Sequence, residues 1–323
     1  MTPASTSDAS MAYLHTAGPA ADPVTRLGWG LGLVSVAVVV IIAALLLGAV
    51  LRRRDVRDGE VAEVSREGAG LNWIYIGVGI SSVVLAACAI WTLVTLSAVA
   101  HPAVKPAFTV RVTGLQWWWR LRYENGEAGQ VFTTANELHV PVGQPVRLEL
   151  ESGDVIHSFW VPQLAGKTDT IPGQTNVSWF QADRPGVYRG QCAEYCGAQH
   201  AHMALQVVAE TPAQFRAWWQ AQLAEAAPAP APGNVQAGAA LVQAHCAACH
   251  TVRGTDAGGL VGPDLTHLMS RRTIAGGTLP NDAPHLADWI THSQHIKPGT
   301  KMPEFALSAS DLSAVVSYLS TLR

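Results

Sequence analysis

Residues 246–250 read Cys-Ala-Ala-Cys-His. In a Cys-x-x-Cys-His run, two thiols form thioethers to a porphyrin and the adjacent imidazole ligates its iron. The three groups are contiguous because one short helical turn must present both sulfurs and the ring to one haem edge. A redox-active Cys-x-x-Cys pair is the competing reading. Two later features favour haem. Gly262-Pro263-Asp264-Leu265 follows shortly after, and Met302 stands in a proline-containing loop, GTKMPEF (299–305), ahead of the last helix. A thioether is a soft ligand that favours reduced iron and raises its potential. Met269, in an expected helix 19 residues after His250, is the competing methionine and reads as packing.

A second constellation runs Cys192-Ala-Glu-Tyr-Cys196-Gly-Ala-Gln-His200-Ala-His-Met203. A mononuclear copper electron-transfer site uses one Cys, two His and a weak axial Met. Here a further Cys precedes that set by four residues, so two thiolates are available to bridge two coppers. Such a bridge holds the metals close and shares one electron between them with little reorganisation. The second imidazole must come from elsewhere, and His157 in DVIHSFWVP (154–162) is placed for it at a strand end. A Cys192–Cys196 disulfide and a zinc site stay open as alternatives, although Met203 argues against zinc.

The elements that position these residues follow from composition. The chain has 323 residues, 49% hydrophobic and only 14% charged, against about 25% charged in an average soluble domain. The deficit is local. Leu27–Leu51 and Leu71–Ala100 contain no charge, and each exceeds the roughly 20 residues that span a bilayer. The loop between them holds Arg52, Arg53, Arg54, Arg57 and Arg66, whereas residues 1–26 hold only Arg26. The positive-inside rule puts the loop in the cytoplasm and both termini outside. The first span is too long, and lacks the basic flank, for an ordinary signal peptide, so it reads as a retained helix.

From Phe108 to about Ala209 the pattern becomes short β-type stretches: FTVRV (108–112), LHVPV (138–142), VRLEL (146–150) and VSWFQ (177–181). Near-regular short strands predict a sandwich or barrel. Thr211–Glu225 reads as a helix, APAPAPG (227–233) as an extended semi-rigid spacer, and the remainder as helices and loops, closing with a helix near Asp311–Leu322. A net charge of −3, 21 basic against 24 acidic residues, excludes a polybasic nucleic-acid surface. Residues 101–226 carry 9 basic and 11 acidic groups, and residues 227–323 carry 6 of each. Neither set steers free partners together. A short tether that makes their encounter intramolecular removes that need.

Residues 234–323 resemble class I cytochrome c. Residues 107–208 resemble the cupredoxin domain of cytochrome c oxidase subunit II, through GLQWWWRLRY (114–123), TANELHVPVG (134–143), DVIHSFWVP, GKTDTIPG (166–173) and the copper loop. The two preceding helices match that subunit's hairpin, so a caa3-type subunit II with a fused cytochrome covers about 20–323. The fold implied is a two-helix transmembrane hairpin, an all-β cupredoxin sandwich and an all-α class I cytochrome c domain. Its expected parts are an external segment 1–26, helices 27–51 and 71–100 around a cytoplasmic loop 52–70, the cupredoxin domain 101–209, a helix and Ala-Pro linker 210–233, and the cytochrome domain 234–323.

The resemblance implies a dinuclear copper A centre. Cys192 and Cys196 would bridge its metals, and His157, His200, Met203 and the Glu194 carbonyl would complete it. The Glu194 carboxylate would also reach magnesium at the subunit I interface. One covalent haem c would sit on Cys246, Cys249, His250 and Met302, the proline of Gly-Pro-x-Leu supporting the proximal histidine. Trp117, in Trp117-Trp118-Trp119, aligns with the family's exposed electron-input tryptophan, while strand alternation buries either Trp118 or both Trp117 and Trp119. His202, Cys88, His285, His292 and His295 read as bland, with a bis-His haem the minor alternative to Met302. Gln174 stands where the family usually has Arg, and Glu63 and Glu67 are both near the family's proton-channel glutamate.

The implied activity is relay of electrons from an external donor, such as cytochrome c or a quinol–cytochrome c reductase, to subunit I, where oxygen is reduced to water with proton translocation. The implied partners are subunit I, the other oxidase subunits and the lipid bilayer, with no nucleic acid, and the implied place is the bacterial cell (inner) membrane with the soluble domains periplasmic. A nitric or nitrous oxide reductase subunit, or a stand-alone tethered carrier, is the alternative.

Overall fold

The computed structural model describes residues 11–52, 69–127, 129–229 and 233–323. The chain divides into two compact units, Asp22–His101 and the residues flanking that span.

In the first unit, α1 (Asp22–Leu51) and α2 (Ala69–Ala100) are both long and apolar enough to cross a membrane, with mean hydropathies of 3.1 and 2.3 over an 18-residue stretch of each. Helix α1 starts five residues ahead of the uncharged run and takes in Asp22 and Arg26, which it joins through Arg26 Nε and the Asp22 carbonyl. Asp22 in the first turn suits the positive end of the helix dipole. No α1 side chain is buried, as expected of a helix whose solvent is hydrocarbon and whose backbone is satisfied internally. Arg53, Arg54, Arg57, Arg66, Glu63 and Glu67 lie outside the described residues.

The second unit begins its globular part with ten strands in two sheets. They are β1 (Thr109–Leu115), β2 (Trp118–Glu124), β3 (Val131–Ala135), β4 (Glu137–Pro141), β5 (Val146–Ser152), β6 (His157–Trp160), β7 (Thr168–Thr170), β8 (Asn176–Phe180), β9 (Gly186–Cys192) and β10 (Ala204–Glu210). One sheet runs β3-β2-β1-β5-β8 and the other β4-β10-β9-β6-β7. Strand alternation sends Val110 and Val112, and Trp119, Leu121 and Tyr123, into the core between them. Helix α3 (Pro212–Leu223) starts with a capping box between Thr211 and Gln214. It lays Phe215 and Trp219 on Phe108, Tyr123 and Phe132.

The C-terminal residues form a helical domain. It contains α4 (Asn234–His245), the two-residue strands β11 (Thr273–Ile274) and β12 (Leu279–Pro280), α5 (Ala283–Thr291), α6 (Ser293–Ile296) and α7 (Ala309–Leu319). Its core holds Val242, Leu286, Ile290, Val315, Tyr318 and Leu319. Met269 lies in a single 3-10 turn, Leu268–Ser270, rather than the expected helix, and packs on that core. The chain leaving α3 is held to the helical domain as far as Ala226. Arg253 donates to the carbonyls of Gln222 and Leu223, and Ala226 N–H donates to the Arg253 carbonyl at 3.0 Å. Residues 230–232 of the linker lie outside the described residues.

Candidate functional site

The loop between β9 and β10 folds back on itself and meets the start of β6. Cys192 ends β9, Met203 directly precedes β10, and His157 opens β6. The Cys192 and Cys196 sulfurs stand 3.8 Å apart, far beyond the roughly 2.05 Å of a disulfide. The disulfide alternative is thereby removed. Cys196 Sγ lies 3.6 Å from His200 Nδ1 and 3.8 Å from Met203 Sδ. Cys192 Sγ lies 4.0 Å from His157 Nδ1 and 3.3 Å from the Glu194 carbonyl. The ligand atoms of His157, Cys192 and Cys196 fall within 4.8 Å of one another. His157 and Met203 are fully buried, and both cysteines are nearly so.

This donor set fits copper. Two thiolates and a thioether are soft, and two imidazoles suit the same metal. A tetrahedral zinc site leaves the thioether and carbonyl without a role. The two thiols share a proton. Hydrogen bonding with Cys196 pulls Cys192 well below the ordinary thiol value, and the same contact pushes Cys196 up. A thiolate is the form a metal binds.

His157 is oriented from behind. Its Nε2 meets Asp154 Oδ1 at 2.8 Å, which leaves Nδ1 for the site, and Asp154 Oδ2 accepts from Gln116 N–H at 2.7 Å. Such carboxylate partners fix ring orientation and ligand basicity. The sequence reading missed Asp154, although an acid three residues before the expected ligand in DVIH was the available signal.

The second site is an apolar cavity in the helical domain, lined by Cys246, Cys249, His250, Leu265, Trp289 and Met302 among others. Helix α4 ends at His245, and the turn after it presents the Cys-x-x-Cys-His run. His250 Nδ1 donates to the Pro263 carbonyl at 2.7 Å, leaving Nε2 for a ligand bond. Burial lowers the pKa of His250 and so favours the neutral ring that iron requires. Gly262 is needed here, because a Cβ on it would stand 2.5 Å from His250 Cε1. Burial, with the Cys249 charge adding, pushes Cys246 up to about 11. The Met302 carbonyl accepts from Ser293 Oγ at 2.9 Å and Gln294 Nε2 at 2.7 Å, which pins the loop. His285, His292 and His295 do not line the cavity. The residues present fit a haem held by two thioethers and a His–Met pair.

Trp117 joins the two sites and is not exposed as expected. It is 7% exposed, and Trp119 is fully buried. Both outer tryptophans are buried and Trp118 is half-buried, but only Trp119 is buried by alternation along β2, since Trp117 lies in the turn before that strand. The Trp117 indole N–H donates to the Cys196 carbonyl at 3.0 Å, beside Gln116 Nε2 at 2.8 Å. The same side chain lines the cytochrome-side cavity. Its cover comes from the helical domain, where Gly299 lies against the ring edge.

Two family models match. The one described as cytochrome c oxidase subunit II, periplasmic domain, covers residues 124–210, and the one described as cytochrome c covers residues 235–323. The chain joins a subunit II domain to a cytochrome c domain.

The chain is 40% identical over 215 residues to cytochrome c oxidase subunit 2 of Alkalihalophilus pseudofirmus, covering 66% of this chain and 61% of that one. It is 31% identical over 230 residues to the same subunit of a Bacillus species, covering 68% and 63%. The chain thus spans about three-fifths of the relatives it matches. Among solved structures, the periplasmic domain of subunit II of cytochrome oxidase of Bradyrhizobium japonicum is 31% identical. That match covers 38% of this chain and 96% of that one, with a TM-score of 0.35. The two domains imply copper and haem.

Proposed function

We propose that this chain is subunit II of a haem–copper cytochrome c oxidase and its electron-input component. The convergence of His157, Cys192, Cys196, His200 and Met203 on one buried point carries the reading. When bound, the covalent haem c and the dinuclear copper supply one-electron relay from an external donor to subunit I, where oxygen is reduced to water with proton translocation.

The chain's own residues prepare both sites. Cys192, Cys196, His157, His200, Met203 and the Glu194 carbonyl would hold the copper pair, the two thiolates and two imidazoles as the strong donors. The Glu194 side chain is exposed, with Oε1 accepting from Tyr195 N–H, and is free to share magnesium with subunit I. Cys246 and Cys249 would tether the haem, and His250 and Met302 would ligate its iron. Trp117 is the bridge between the domains. Because the cytochrome domain covers it, the external donor meets that domain rather than the tryptophan. The two apolar helices anchor the chain in the bacterial cell membrane, with both domains on the outer face.

Metal analysis and EPR of the purified chain test this. The expected result is two coppers with a mixed-valence signal and one haem retained through acid–acetone extraction. A single copper, or zinc, overturns the copper reading, and an extractable haem overturns the cytochrome reading. Co-purification with a haem–copper subunit I is expected; its consistent absence favours a stand-alone carrier.

A further inference from the structure

Lys297, directly after α6, is 2% exposed. Its Nζ donates to three main-chain carbonyls: Trp117 at 2.9 Å, His202 at 2.8 Å and Ala275 at 2.9 Å. The first two belong to the subunit II domain and the third to the cytochrome domain. Burying an ammonium is costly unless its hydrogens are bonded. Two of the three acceptors here exist only while the domains are docked.

The surrounding contacts agree. Ala275, Gly276 and Gly277 have consecutive positive φ values of 54°, 70° and 80°, a turn that pushes its backbone into the other domain. Gly276 must lack a side chain, because a Cβ there would stand 2.8 Å from both Lys297 Nζ and the Trp117 carbonyl. The Gly276 carbonyl accepts from Ala204 N–H at 2.9 Å, one residue after Met203. Gln199 Nε2, next to His200, donates to the Pro298 carbonyl at 3.0 Å. These bonds surround Trp117 on the side away from Cys196.

We propose that Lys297 is a positioning residue whose ammonium group registers the cytochrome domain on Trp117 and the copper loop, and thereby sets the rate of electron crossing between the domains. This rests on the electron-relay reading above. The step served moves one electron from the cytochrome domain to the subunit II domain, oxidising the cofactor of the first and reducing that of the second. Lys297 lines the cytochrome-side cavity but is not among the ligands proposed for either site, and it acts through the carbonyls it binds.

The test uses the full chain loaded with copper and haem, as wild type, Lys297→Met and Gly276→Ala. The second variant wedges the same junction by a different route and serves where the first folds poorly. Hydrogen exchange at the Ala204 amide is expected to speed up roughly tenfold or more in both variants, because its acceptor lies across the junction. Interdomain transfer after flash reduction is expected to slow roughly tenfold or more, and to become viscosity-dependent, since the domains must re-dock. The copper EPR signal is expected to stay as in wild type and the haem to stay covalently attached, so that slower transfer is not read as loss of either cofactor. Unchanged exchange at Ala204 together with unchanged transfer in both variants overturns the proposal. Absence of the copper or haem signal from the wild type strikes the relay reading instead.

Discussion

The indole N–H of Trp117 donates to the main-chain carbonyl of Cys196 at 3.0 Å. One side chain therefore touches Cys196, in the candidate metal site, and also walls the cavity lined by His250 and Met302. Trp117 thus stands at the junction between the two domains, held to the copper loop on one side and lining the cavity on the other.

Replacing Trp117 with Phe keeps an aromatic ring but removes the donor. The Cys196 carbonyl still accepts from Gln116 Nε2, so the stability loss is expected to be about 1 kcal/mol and the copper signal unchanged. Interdomain transfer is expected to slow by roughly tenfold. Flash reduction of the haem, followed at the copper band, measures it, and a wild-type rate in the variant rejects this role for the indole.

Asp154→Asn removes the charge behind His157 while leaving a side chain able to accept from Gln116 N–H. Loss of such a partner typically weakens metal affinity by about 10–100-fold. Competition against a chelator of known strength is expected to show copper lost at lower chelator concentration. Equal retention by the two proteins contradicts the orienting role of Asp154.

Met302→Leu keeps the volume and apolar character of the cavity wall and deletes the sulfur. The haem is expected to remain covalently attached through Cys246 and Cys249, while its potential falls, because a thioether ligand favours reduced iron. A redox titration followed by haem absorption decides it, and an unaltered potential transfers the ligand role to another residue.

His139 gives a pH prediction with a definite sign. The ring is buried between Glu137 (Nε2–Oε1 2.9 Å) and Glu210 (Nδ1–Oε2 3.2 Å), with the Tyr123 hydroxyl on its main chain and Trp218 stacked on its face. Burial alone lowers its pKa, but the hydrogen bonds and charges of the two glutamates outweigh that and raise it above the ordinary histidine value. A raised folded pKa means stabilisation that is complete below about pH 6.5, the unfolded value, and lost as pH rises through the folded one. The Tm difference between wild type and His139→Gln is therefore expected to be largest in mild acid and to shrink towards alkaline pH. A difference that stays constant across that range removes the charge from the account.

Much of the site was legible along the chain. Cys192, Cys196, His200 and Met203 fall on one loop, and Cys246, Cys249 and His250 on one turn. Local spacing alone brings such groups together, whatever the rest of the fold does. The two membrane-length helices were legible for a similar reason, since an uninterrupted apolar run is a property of contiguous residues. The alternation of β2 likewise buries Trp119, Leu121 and Tyr123.

What covers Trp117 was not legible. Its cover comes from Gly276, Lys297 and Gly299, more than 150 residues downstream, and no period or motif in KPG or AGG marks them. A lone lysine in a polar loop reads as solvated, and only docking turns three carbonyls from two domains towards its ammonium group. The sequence by itself determined which residues carry the chemistry, because ligand type and local spacing are encoded side by side. The tertiary structure alone decided how the two sites face each other, because that depends on contacts between residues the chain keeps far apart.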